Sequence, residues 1–139
     1  MTYRLLTYLI ILVLTSSCGQ PPRLFDLKEI AAELNELCPS MRDSETRWDK
    51  VVALPANILE LTFTLVNIEK DNIDLILFEK EIKIFLIGSL KNDPLSATID
   101  NMSTMESLRK NNVTFKYIFL DNKGEQIKTL IIRPEEYKI

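Results

Sequence analysis

The first patterned segment is almost wholly apolar: Leu5 to Leu14 reads LLTYLIILVL, interrupted only by Thr7 and the hydroxyl of Tyr8. A bilayer-spanning helix needs about 20 such residues and a signal-peptide core about 7 to 15, so this run has the signal-peptide length. Arg4 supplies positive charge ahead of it, and the small residues Ser16 and Ser17 precede Cys18, as a cleavage site requires. Residues 1–17 are therefore expected to be a signal peptide, 18–25 a tether through Pro21-Pro22, and 26–139 the folded domain. On the residues alone, an uncleaved anchor helix and an ordinary soluble signal stay open as alternatives.

Beyond the tether the spacing turns helical. Leu27, Ile30, Ala31, Leu34 and Leu37 share one helix face, Asp26 is placed to cap the first turn, and Pro39 disfavours helix at Cys38. Period two follows. Thr46 to Leu54 predicts a strand with Trp48, Val52 and Leu54 on one side, and Pro55-Ala56-Asn57 predicts a turn. Leu59, Leu61, Phe63 and Leu65 then alternate with Glu60, Thr62 and Thr64, which predicts a half-buried strand paired with its predecessor as a hairpin.

Residues 71–90 fit either period, but the run is too long for an ordinary strand. A helix from about Asn72 to Leu90 is expected, with Leu75, Phe78, Ile82, Phe85, Leu86 and Leu90 inward; Asn92-Asp93-Pro94 breaks it. Ile99, Met102, Met105 and Leu108 predict a shorter helix ending near Lys110. VTFKYIFL and EQIKTLIIR, joined by Asp121-Asn122-Lys123-Gly124, form a second hairpin in which Gly124 supplies the positive φ. The predicted class is α+β: one domain in the order α-β-β-α-α-β-β, an antiparallel sheet of two hairpins with helices on one face.

Composition narrows the chemistry. The chain has 139 residues, a formal charge of −3, three glycines, two cysteines and no histidine. Its basic residues are not clustered as a nucleic-acid backbone requires, so no nucleic-acid partner is expected. Without histidine the usual general base and the commonest metal ligand are both missing, and no metal or cofactor is expected. If Cys18 carries lipid, Cys38 is the remaining thiol; at the end of an apolar helix face it reads as a small buried hydrophobe. Ser107-Leu108-Arg109-Lys110 matches the Ser-x-x-Lys of penicillin-interacting enzymes but lacks both companion motifs. The remaining candidate is residues 38–51, where Asp43, Glu45, Arg47 and Asp49 bracket Trp48. Local ion pairs of little energetic weight are one reading of that cluster, and an interaction surface is the other.

Two resemblances lie on these residues. Ser16-Ser17-Cys18-Gly19 resembles the lipobox of bacterial lipoproteins, although Thr15 stands where leucine is commonest. That resemblance implies acylation of Cys18 with palmitate-class chains, two of which suffice for stable anchoring. Cys38-Pro39, Asp43 to Val51, and Tyr117, Asp121 and Gly124 resemble a group of small exported bacterial proteins of unknown function. No cysteine follows Cys38, so the disulfide such relatives would carry is not expected here.

The expectation is an envelope lipoprotein, held to a membrane through Cys18, acting as a non-enzymatic module that binds an envelope protein. Two rivals remain: a small exported enzyme using Cys38 or the acids Asp43, Glu45 and Asp49, and an inhibitor-type lipoprotein.

Overall fold

A computed structural model of the chain describes residues 24–92 and 102–138. The expected signal peptide, Cys18, the tether up to residue 23, Pro94 and Ile99 lie outside the described residues.

Helix α1 spans Leu27–Asn35, capped by the Asp26 carboxylate, which accepts from the N–H groups of Lys28 (2.8 Å) and Glu29 (3.4 Å). It buries Leu27, Ala31 and Leu34. The helix ends earlier than its apolar spacing predicts: Leu37 and Cys38 fall in a turn, and Leu37 is 49% exposed. A cis peptide joins Cys38 to Pro39, after which Ser40–Met41 pairs as a two-residue strand, β1.

The long strands are β2 (Thr46–Leu54), β3 (Ile58–Leu65), β4 (Thr114–Leu120) and β5 (Gln126–Ile132), in the spatial order β1-β2-β3-β4-β5. Both predicted hairpins are present, β2 with β3 and β4 with β5. The expectation of a purely antiparallel sheet is corrected at their junction. There β3 and β4 run parallel, Leu61 opposite Tyr117 and Phe63 opposite Phe119. A parallel pair requires a long crossover, and the helical segment between them supplies it.

That crossover holds a 3-10 turn (Lys70–Asn72), α2 (Leu75–Asn92) and α3 (Met102–Lys110). Asp74 organises the start of α2, accepting from Ile76 (3.0 Å) and Leu77 (3.1 Å). A one-turn helix that the spacing did not announce, α4 (Pro134–Tyr137), follows β5. It brings the Tyr137 hydroxyl to the carbonyl of Val113 at 2.5 Å and sets the Tyr137 ring edge-on to Phe115.

One apolar cluster lies between the sheet and the helices. Trp48, Val51, Leu59, Leu61, Phe115 and Tyr117 come from the strands; Leu86, Leu90, Met105 and Leu108 come from α2 and α3. Several inward assignments change. A bulge between Trp48 and Lys50 shifts the phase of β2, so Val51 is buried in place of Val52. Phe85 and Leu75, assigned to the buried face of α2, are 66% and 40% exposed.

Candidate interaction site

The segment between β1 and β2 is shaped by one carboxylate. Asp43 Oδ1 accepts from the N–H groups of Glu45 (2.7 Å) and Thr46 (2.8 Å), and these bonds, that to Glu45 first, hold its pKa below the ordinary value. The carbonyl of Glu45 accepts from Val66 N–H (2.8 Å), which fastens the loop to the end of β3. Arg42 lies over the Trp48 ring, 5.6 Å from its centroid, a contact that spacing alone gave no means of finding.

On the helical side, this loop is one wall of a groove of about 500 Å³. Its floor is aromatic and aliphatic, with Phe63, Leu65, Tyr117 and Phe119 supplied by the adjacent parallel strands. Its far wall is α2, through Ile82, Phe85 and Leu86. Arg42 and Asp43 bring opposite charges to the rim. Tyr117 is 2% exposed and its hydroxyl has no hydrogen-bond partner among the described residues. Burial, with a smaller contribution from Tyr137, pushes its pKa up, so it stays a neutral phenol at any physiological pH.

The predicted cluster is divided by the sheet. Asp43 borders the groove, whereas Arg47 and Asp49 line a concavity of about 610 Å³ on the opposite face. There Arg47 Nε donates to Asp49 Oδ1 (2.5 Å), and Thr64 Oγ1 donates to Asp49 Oδ2 (2.5 Å). The cause is local: Arg47 and Asp49 flank Trp48, so when Trp48 points into the core they point away from it. Glu45 is exposed and its backbone, not its carboxylate, enters the loop's bonding.

Cys38 is half-buried, with Sγ 3.7 Å from the Leu34 carbonyl. Burial first, then the charge of Asp49, pushes its thiol pKa up, which disfavours the reactive thiolate. Among the described residues no group of three or more Cys, Asp or Glu side chains is placed to hold a metal ion. No helix among them is long and apolar enough to cross a membrane. What the groove offers chemically is desolvation of an apolar partner surface, with a charged rim to orient it.

No protein-family model and no curated protein matches the chain. Solved structures do. A protein of Pseudomonas aeruginosa described as secreted aligns over 79% of this chain and 88% of its own, with 11% identity and a TM-score of 0.57. The pilotin EpsS of the Vibrio vulnificus type 2 secretion system aligns over 81% and 88%, with 9% identity and a TM-score of 0.56. The type II secretion pilotin AspS of Vibrio cholerae aligns over 78% and 86%, with 11% identity and a TM-score of 0.53. At such identity the likeness is one of fold: this chain has the α+β architecture of two type II secretion pilotins and of a protein described as secreted.

Proposed function

We propose that the chain is a non-enzymatic, lipid-tethered module of the cell envelope that holds an apolar segment of another envelope protein, in the manner of a secretion-system accessory. The observation that carries this reading is the groove, an apolar floor of Phe63, Tyr117 and Phe119 edged by the exposed Phe85. Large aromatic side chains open to solvent beside a concave apolar floor are what a protein–protein hot spot needs. The fold shared with two type II secretion pilotins supports an envelope role of this kind. The rival enzymatic reading loses its geometry, because Asp43 and Asp49 stand on opposite sides of the sheet and the Cys38 thiol is disfavoured as a thiolate.

A photo-crosslinking residue in place of Phe85, compared with one in place of Val52 on the opposite face of the sheet, tests the site in cells. A discrete crosslinked protein at position 85 and none at 52 is expected. The same product from both positions, or none from position 85, removes the groove from the function.

A further inference from the structure

Helix α2 is apolar on more sides than its own core uses. Leu86 and Leu90 are buried, yet Leu77 is 51% and Ile84 65% exposed on the outer side. Along that side Leu77, Glu81, Ile84, Gly88 and Lys91 recur at alternating steps of four and three, the spacing of a seam between two helices. Gly88 sits within the seam, where glycine weakens a helix. A Cβ built on it meets nothing within 4 Å, so no neighbour among the described residues requires its smallness. Charges on the inner flank are satisfied: Lys83 pairs with Glu136 (2.9 Å) and Lys128 with Glu79 (2.5 Å). Glu81 and Lys91 have no ion-pair partner among the described residues.

We propose that the outer side of α2 is the interface between two copies of this chain, packed antiparallel about a two-fold axis beside Leu86. In that register Ile84 of each copy faces Gly88 of the other, and Glu81 faces Lys91; symmetry makes each contact twice. Charge fixes the orientation. A parallel pairing would set Glu81 against Glu81 and Lys91 against Lys91, whereas the antiparallel one matches opposite signs. The bare backbone at Gly88 becomes the notch that receives Ile84, which gives the glycine a purpose the isolated domain lacks. One helix against one helix buries less than the roughly 1,200 Å² of a stable interface, so the dimer is weak and reversible. Ile82, Leu86 and Ser89 lie on the other flank of the helix, so the groove remains open in the dimer.

Sedimentation equilibrium of the full chain in mild detergent, up to millimolar loading, tests this. The wild type is expected to show a monomer–dimer equilibrium. Glu81→Lys and Lys91→Glu should each weaken it roughly tenfold, because symmetry doubles the loss of one pair. The double variant, with the signs exchanged, should recover the dimer. Gly88→Gln, which the open space tolerates in the monomer, should abolish dimerisation without lowering the thermal midpoint. A wild type that stays monomeric overturns the proposal, as does a dimer indifferent to Glu81→Lys, Lys91→Glu and Gly88→Gln. It is equally overturned if Ile84→Lys leaves association intact but releases the protein from anionic vesicles, because a lipid surface then covers this face.

Discussion

Asp121 shows how one residue decides local structure. It is 2% exposed, and burial alone would disfavour its charge. Three amides outweigh that: the N–H groups of Glu125 (2.8 Å) and Lys123 (2.9 Å) donate to Oδ1, and that of Lys70 (3.1 Å) donates to Oδ2, so the pKa falls below the ordinary value. The carboxylate thus builds the β4–β5 turn and also ties it to the 3-10 turn across the sheet. A group with a depressed folded pKa stabilises fully above its unfolded value, about 3.9, and its contribution disappears as pH falls through the folded value. Asp121→Asn is therefore expected to lower the urea midpoint at pH 7, and the gap to the wild type should close below about pH 4. Asp121 was legible in sequence as a turn residue, together with Gly124 and its φ of 82°. The link to Lys70 was not, since nothing local marks two segments so far apart in the chain as neighbours.

At the scale of elements, periodicity identified what it physically measures. The alternation of Phe115, Tyr117 and Phe119 reports a strand with one buried face, and those residues are buried. Periodicity does not report the partner or direction of a strand, and so the parallel β3–β4 pairing was illegible. Nor does it register a bulge: one extra residue at Asp49 reversed the inward set of β2 from there onward. Asn35 Oδ1 accepts from Val51 N–H (2.9 Å) beyond the end of the short β1, a bond that secures this irregular stretch to α1. Helix α2 was legible by length but its faces were not, because it is apolar nearly all round. The two ends of that ambiguity can be separated by substitution. Leu90→Ala, at a site 0% exposed, should cost about 2–5 kcal/mol. Ile76→Ala, at 84% exposure in the same helix, should stay within about 0.5 kcal/mol by urea denaturation.

For the whole molecule, the two faces of the sheet, one packed under the described helices and the other carrying the Arg47–Asp49–Thr64 bonds, set what each side can do. The candidate cluster of Asp43, Glu45, Arg47 and Asp49 was legible as polar sequence around a tryptophan. Its partition between the two faces follows from tertiary placement, as does the groove, whose floor and wall come from strands and a helix distant in the chain. The proposed tether belongs to this scale too, since it would hold the domain beside a membrane. Protein extracted from native membranes is expected to lack residues 1–17 and to carry added acyl mass by intact mass spectrometry. Cys18→Ala should abolish both changes; cleavage without acylation would instead leave a free exported protein.

The parallel junction has a consequence for how the chain is made. A hairpin can close as soon as its own two strands exist, but the centre of this sheet joins strands on either side of the whole crossover. Until Thr114 onward has been synthesised, Leu59 and Leu61 have no neighbour on that edge, and the first half of the polypeptide lacks the strands and helices that bury it. Completion of the native state thus awaits the final quarter of translation, and the chain stays loose until its last strands emerge, as passage through a narrow channel would require under the proposed export.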